Sequence, residues 1–225
     1  MNRCFDRLLL TTVLLVPFAS AAQADEPKRE KPQAAERSLF DGKTLGGWKE
    51  TEFAGRGDVK IEKGELILGF GEVLTGVTWK GDAVPRENYE IQLQAKRVEG
   101  TDFFCGLTFP VGDDPCSFIL GGWGGGLIGL SNINGSDASE NETTQYQELK
   151  NNRWYDVRVR VTTKQIQVWL DKEKIIDVDR SEREISIRPE VELSKPLGIA
   201  SYQTTAALRN IVLRRLPAAG EGAQK

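Results

Sequence analysis

The alternation of apolar and polar residues predicts a chain built mostly from short strands. Residues 89–98 read Y-E-I-Q-L-Q-A-K-R-V and residues 154–162 read W-Y-D-V-R-V-R-V-T, each with an apolar residue at every second position. A period of two is typical of strands that bury one face. Further strands are predicted at residues 59–62, 65–69, 77–79, 165–171, 175–178, 197–202 and 207–216.

Three other segments are more continuously apolar, which is expected of strands that are buried on both faces or line a groove. They are residues 103–109, 117–120 and 127–130. Residues 180–195 are polar, contain a proline and read as a long connection, and no segment has the pattern of a capped amphipathic helix. About a dozen closely spaced strands indicate an all-β antiparallel sandwich or barrel, and the length of the chain suits a larger jelly roll.

The N-terminus has the pattern of an export signal over residues 1–24. Arg3 and Arg7 supply the basic end, residues 8–19 form an apolar run, and Ala22-Gln23-Ala24 fits a cleavage site. An uncleaved anchor is the alternative; after cleavage no stable membrane span is expected. Residues 25–37 are predicted to be a flexible linker, residues 38–217 the folded domain and residues 218–225 a disordered tail. The signal predicts a periplasmic or extracellular location.

Composition excludes several kinds of chemistry. The chain contains no histidine, which removes Ser-His-Asp catalysis, Cys-His catalysis and histidine-ligated metals. The formal charge of -3 gives no indication of a basic surface for nucleic acid. Catalysis would therefore depend on carboxylates, Lys, Tyr, Cys or a metal held by oxygen.

Two cysteines remain after signal removal, Cys105 and Cys116. An even pair in an exported protein could form a disulfide that closes a short loop. The alternative is two buried free thiols that pack as small apolar side chains. The sequence leaves both open.

The segment 101–142 is the strongest candidate for a ligand site, because apolar strands there lead into an acidic loop. Asp137, Glu140 and Glu142 are the leading catalytic carboxylates. Asp102 and Glu65 are the next candidates. Asp137 and Glu140 could also hold a divalent cation such as calcium with the neighbouring amide and hydroxyl oxygens, although the spacing matches no known calcium loop. A solvated polar loop is the alternative.

Trp123 is the sharpest aromatic candidate, since it stands in G-G-W-G-G-G. Flanking glycines would let a flat sugar ring approach and stack on the indole, with Asp102 and Asn141 as further substrate-binding residues. Burial of Trp123 in the core is the alternative. The other tryptophans of the strand patterns are predicted to be core residues: Trp48, Trp154 and Trp169.

Four segments resemble a known family, now named after 3-keto-disaccharide hydrolases. They are L-F-D-G-K-T-L-G-G-W-K from residue 39, W-K-G-D-A-V-P-R-E-N-Y-E-I-Q-L-Q-A-K from residue 79, N-R-W-Y-D-V-R-V-R-V from residue 152 and L-R-N-I-V-L-R-R-L from residue 208. The resemblance covers nearly all of residues 38–216. One departure is the segment D-F-F-C-G-L-T-F-P from residue 102, where many members carry an Asn-Ser-Gly motif followed by Arg. The resemblance therefore assigns no catalytic arginine to this chain.

The resemblance implies a concanavalin A-like jelly roll of two antiparallel sheets, and an exported hydrolase or lyase that cleaves 3-keto glycosides. A ketone at C3 of a sugar acidifies the hydrogen at C2, so that a general base and an enolate-stabilising group suffice to expel the group at C1. Two alternatives stay open. One is a non-catalytic carbohydrate-binding module of the cell envelope, and the other is a structural or adhesion protein with a large apolar patch and no pocket.

Overall fold

The structure is a computed structural model that describes Met1 and residues 36–217. The predicted export signal beyond Met1, the predicted linker up to residue 35 and the predicted tail 218–225 lie outside the described residues. The fifteen strands are β1 (Glu36–Ser38), β2 (Trp48–Glu50), β3 (Val59–Glu62), β4 (Glu65–Leu68), β5 (Leu74–Trp79), β6 (Tyr89–Gly100), β7 (Cys105–Val111), β8 (Asp114–Gly121), β9 (Leu127–Ser131), β10 (Gln145–Tyr146), β11 (Tyr155–Val161), β12 (Gln165–Leu170), β13 (Glu173–Asp179), β14 (Gly198–Tyr202) and β15 (Thr204–Arg215).

The strands form two antiparallel sheets, as the alternating pattern predicts. The first sheet has the order β13-β12-β11-β6-β15-β4-β3, with β1 paired to β15. The second has the order β10-β9-β8-β7-β14-β5-β2. Strand β1 begins two residues before the predicted start of the domain. The all-β jelly-roll prediction is confirmed.

The burial patterns of the two sheets differ in the way the sequence indicates. The outer face of a sheet is here the face turned away from the main core. Strand β6 buries Tyr89, Ile91, Leu93 and Ala95 and turns the intervening residues outward. Strands β5, β7 and β9 are buried at every position, because connections and a 3-10 helix cover the outer face of the second sheet.

The 3-10 helix spans Pro189–Ser194, within residues that read as a plain connection in the sequence. Proline at its first turn is favourable because the missing N–H has no helical partner there. The helix ends at Lys195, whose extended backbone is the conformation preferred before Pro196. Among the described residues, no helix is long and apolar enough to cross a membrane.

The disulfide alternative is wrong, because Cys105 and Cys116 are both free and buried. Cys105 lies opposite Leu120 in the β7–β8 ladder, whereas Cys116 lies opposite Phe109, four residues further along. That offset is roughly 13 Å at about 3.3 Å per residue, well beyond the span of a disulfide. Burial raises the pKa of each thiol to about 12.

The three tryptophans that were predicted to be core residues differ in their burial. Trp48 is fully buried, packs edge-to-face on Trp79 at 5.3 Å and donates its indole N–H to the Leu39 carbonyl at 2.8 Å, so its core assignment is confirmed. For Trp154 and Trp169 the prediction is wrong. Both are half-buried on the outer face of the first sheet, where cationic side chains cover their rings.

Candidate functional site

A pocket of about 380 Å³ opens on the outer face of the second sheet. Ser117 and Ile119 of β8 belong to its floor, whereas the alternating Phe118 points into the main core. The walls come from the β6–β7 connection, the turn after β8 and the 3-10 helix. The complete lining is Val73, Leu74, Asp102, Phe103, Ser117, Ile119, Trp123, Ser131, Arg188, Glu190, Val191 and Tyr202.

Two hydroxyls and two aromatic rings give the pocket an amphipathic interior. Ser117 and Ser131 are directly opposite in the β8–β9 ladder and are both nearly fully buried. Phe103 and Tyr202 pack with ring centroids 5.9 Å apart. The Phe103 ring can pack closely against the sheet because Gly106 has no side chain; a Cβ there would stand only 2.9 Å from the ring. Apolar walls with a few polar groups are typical of small-molecule sites.

Trp123 stands at this pocket on a strained turn. Strand β8 ends at Gly121, and a single helical turn follows in which Trp123 has φ 46° and ψ 55°. A bulky residue in this left-handed region is uncommon and costs on the order of 1–3 kcal/mol. The indole remains 44% exposed. The core alternative for Trp123 is thereby excluded, and strain of this kind is concentrated at ligand sites.

The Asp102 carboxylate fixes the Trp123 turn and lines the same pocket. Its Oδ1 accepts a hydrogen bond from the Phe103 N–H at 2.7 Å, and its Oδ2 accepts one from the Gly124 N–H at 3.3 Å. Both donors are neutral main-chain groups, and no cation of the described residues forms an ion pair with this carboxylate. Asp102 therefore keeps lone pairs that can accept further hydrogen bonds.

Arg97 supports the turn from below. Its side chain is 6% exposed, and the guanidinium lies 5.4 Å from the Phe104 ring. It donates to the main-chain carbonyls of Asp102 at 3.3 Å and Gly125 at 3.1 Å, and also to Leu149 O and Asn151 Oδ1. Desolvation lowers the pKa of this guanidinium, which nevertheless stays charged. A buried cation thus joins both pocket segments.

On the opposite wall, Arg188 lies between two carboxylates. Its Nη1 donates to Asp137 Oδ2 at 2.7 Å, and its Nη2 donates to Glu190 Oε1 at 2.8 Å. The bond from Arg188 lowers the pKa of Glu190. Partial burial opposes ionisation of Asp137, but bonds from Ser139 and the charge of Arg188 outweigh it and lower its pKa. We call these three residues the Arg188 triad.

The three predicted catalytic acids do not line the pocket. Asp137 reaches it only through Arg188, and its other oxygen accepts bonds from the Ser139 N–H and hydroxyl. Glu140 is exposed, and Glu142 pairs with Arg183 at 2.5 Å. Glu65 lies on the other sheet, paired with Lys96.

Asn141 holds the acidic loop together instead of facing the pocket. Its Nδ2 donates to the carbonyls of Leu130, Ser136 and Asp137 at 2.7–3.1 Å, and its Oδ1 accepts from Thr143. Within the described residues, no three His, Cys, Asp or Glu side chains are grouped to hold a metal ion. Asp137 and Glu140 thus have no third acidic ligand beside them in this part of the chain, and both oxygens of Asp137 already accept hydrogen bonds from Ser139 and Arg188.

Several lining residues carried no signal in the sequence. Arg188 and Glu190 lie in a polar stretch that reads as a connection, and the serines lie within apolar strands. Tyr202 ends a strand without a flanking motif. Arg188 and Glu190 reach Trp123 and Asp102 through the approach of the 3-10 helix to the second sheet, whereas the serines and Tyr202 reach them through the strand order of that sheet.

Comparisons with known proteins agree with this architecture. The sequence profile described as "3-keto-alpha-glucoside-1,2-lyase-like domain" matches residues 35–214. No protein of curated function matches the chain. A Crh5 transglycosylase in complex with NAG is similar in structure with TM-score 0.54 and 10% identity, covering 82% of this chain and 85% of the other.

Two carbohydrate-binding structures are similar as well. The exoplasmic/lumenal domain of VIP36 in its Ca²⁺/Man3GlcNAc-bound form has TM-score 0.54 and 12% identity, covering 81% of this chain and 89% of the other. The carbohydrate-binding module CBM66 from Bacillus subtilis has TM-score 0.50 and 11% identity, covering 75% and 95%. At such identities these likenesses establish the shared jelly-roll fold only.

Proposed function

Because the chain belongs to the 3-keto-alpha-glucoside-1,2-lyase-like domain family, we propose that it is an exported enzyme that cleaves 3-keto glycosides in the pocket beside Trp123. The family membership makes it a carbohydrate-related jelly-roll protein. The observation that carries the finer proposal is Asp102, a carboxylate without an ion-pair partner among the described residues, next to an exposed indole held in a strained turn.

Asp102 is the best-placed general base. In the proposed reaction its carboxylate takes the proton from C2 of the sugar, and the C2–H electrons form an enolate on the ketone oxygen. The enolate then collapses, C1=C2 forms as the C1–O bond breaks, and Asp102 returns the proton to the leaving oxygen. Water can add across C1=C2 to complete hydrolysis. Glu190 suits the base role less well, because Arg188 stabilises its ionised form.

Other pocket groups would bind the sugar and its developing charge. The exposed face of Trp123 offers a stacking platform for the ring. The donors available to a ketone or enolate oxygen are the N–H groups of Arg188 that Asp137 and Glu190 leave unused, and the Ser117 hydroxyl when Thr108 donates to it. The Ser131 hydroxyl already donates to Asn132 Oδ1 at 2.7 Å. Proton transfer moves one negative charge from Asp102 to the sugar, so the net charge of the pocket stays constant.

The test compares a 3-keto-glucoside with its unoxidised parent glucoside, using the full chain and chromatography of the products. We expect cleavage of the oxidised substrate only. Asp102→Asn should lower kcat by about 10²–10⁴-fold, the usual contribution of a general base. The matched control Asp113→Asn, at an exposed turn between β7 and β8, should retain wild-type kcat. Equal rates for Asp102→Asn and wild type would refute the assignment.

A non-catalytic carbohydrate-binding module is the second candidate, and the exposed Trp123 favours it equally. It predicts saturable binding of the sugar without turnover, lost in Trp123→Ala. Export is also part of the proposal and is supported by the basic, apolar and small-residue segments of residues 1–24. Fractionation of expressing cells should recover the protein in the periplasm or medium; recovery only in the cytoplasm would exclude export.

A further inference from the structure

The charges around the pocket point to a rule for which sugars it accepts. Arg188 is the one cation among the twelve lining residues, and it is already shared by two carboxylates. Its Nε also lies 3.4 Å from Glu190 Oε2, so that Glu190 is engaged through both oxygens. The positive charge of this guanidinium is therefore cancelled before a ligand arrives.

The other nearby cation is equally committed. Arg97 is buried and donates its N–H groups to three main-chain carbonyls and to Asn151. It is not part of the pocket lining. Asp102 and Glu190 contribute two negative charges to the lining itself. A ligand inside the pocket thus meets an excess of negative charge and no free cation among the lining residues.

We propose that the Arg188 triad makes the pocket selective for uncharged sugar rings and that it excludes rings bearing a carboxylate or sulfate. The inference deepens the proposed function and rests on it for the location of the sugar. Hydroxyl groups can donate to the Asp102 and Glu190 carboxylates, whereas an anionic substituent can only be repelled by them. Asp137 and Glu190 are specificity-determining residues in this view, because they neutralise the guanidinium that would otherwise pair with an acidic sugar.

The experiment measures affinity by titration calorimetry for two ligands that differ only at C6, methyl glucoside and methyl glucuronide. Wild-type protein should bind the uncharged ring at least about 10-fold more tightly. Glu190→Gln removes one lining charge and frees one side of Arg188, so the preference should shrink to about 3-fold or reverse. Its glucuronide affinity should fall as salt is added, since the new attraction is ionic.

The matched control is Glu192→Gln on the same 3-10 helix. Glu192 pairs with Lys195 and does not line the pocket, so its removal should leave the preference unchanged. Equal wild-type affinity for both ligands, or an unchanged preference in Glu190→Gln, would overturn the inference.

The two proposals fail in different ways. Binding of the uncharged ring without cleavage of any 3-keto glycoside would refute the enzyme and leave the charge selection standing. Cleavage of 3-keto-glucoside and 3-keto-glucuronide with similar kcat/KM would refute the charge selection alone. Failure to bind either methyl glycoside, with no inhibition of cleavage by them, would refute the placement of the sugar and the inference together.

Discussion

On the outer face of the first sheet every tryptophan is covered by cations, whereas on the outer face of the second sheet Trp123 stands open at a pocket. The Trp154 ring lies 4.0 Å from the Arg209 guanidinium and 4.4 Å from Lys96 Nζ. Trp169 lies under Arg158 and Arg160. No cation of the described residues covers Trp123. An indole whose face is occupied cannot receive a sugar.

The carboxylates show the same contrast. Glu90 on the first sheet is 2% exposed and bonded to Arg160 at 2.7 Å, with Arg158 and Arg214 within 4 Å. Asp102 at the pocket accepts only main-chain N–H groups. The Glu90 carboxylate is thus neutralised by arginines, whereas the Asp102 carboxylate is held by neutral donors only and has no counter-ion of its own among the described residues. The comparison separates groups that stabilise the fold from groups that are available for chemistry.

The largest effect on stability is expected at Arg97, which connects the two pocket segments. Arg97→Met leaves several buried carbonyls without donors and should lower the free energy of unfolding by about 3 kcal/mol. Sugar affinity of the remaining folded protein should also fall, because Gly125 and Asp102 lose their common anchor. Arg209→Met, which uncovers Trp154, should change stability by less than about 1 kcal/mol and leave affinity intact. Urea unfolding and calorimetry check both variants.

A smaller loss is expected for Glu90→Gln, which leaves three arginines without their shared anion. Breaking a fully buried pair costs about 3–5 kcal/mol, but these arginines are about a third exposed, so we expect about 2 kcal/mol. Activity per folded molecule should not change. Glu62→Gln, an exposed partner of Lys60 on the same sheet, is the control and should stay within about 0.5 kcal/mol. A stability loss of less than about 0.5 kcal/mol in Glu90→Gln would contradict the interpretation that Glu90 anchors the three arginines.

The two tryptophan environments predict opposite responses to glycine. At Trp123 the positive φ favours glycine, so Trp123→Gly should be more stable than Trp123→Ala by about 1 kcal/mol. At Trp169, inside strand β12, the order should reverse by a similar amount. Both Trp123 variants should weaken sugar binding, and both Trp169 variants should leave it unchanged. Thermal unfolding of the four variants with parallel titrations tests the pattern; the same order at both sites would argue against strain at Trp123.

The smallest effect concerns acid stability through Asp137. Its pKa is lower in the folded chain than its ordinary value of about 3.9, so its ionised form stabilises the fold. That contribution is complete above the ordinary pKa and disappears as the pH falls through the lower, folded value. Wild type should therefore be more stable than Asp137→Asn at pH 7, and the two should converge below about pH 4. If the stability difference between wild type and Asp137→Asn stayed the same over the whole pH range, Asp137 would be excluded as the source of the pH-dependent stabilisation.

The sequence determined the longer strands and their faces, because alternation with a period of two follows from strand geometry and burial alone. The short strands β1, β2 and β10 carried no such pattern. The sequence also indicated Trp123, whose flanking glycines mark a place where the backbone leaves the ordinary strand conformation. The sequence could not show which of the acidic residues lies in the pocket. Asp137, Glu140 and Glu142 share the composition of a site, but where a loop carboxylate points depends on contacts with distant segments.

Tertiary structure alone decided which groups meet in the pocket. Arg188 and Glu190 reach it because the 3-10 helix packs on the second sheet, more than fifty residues along the chain from Trp123. Ladder register likewise kept the cysteines apart, and cations on neighbouring strands cover Trp154 and Trp169, whose outward face already followed from the alternation. Local pattern sets the face of a strand, whereas pairing register and loop packing are properties of contacts between segments far apart in sequence.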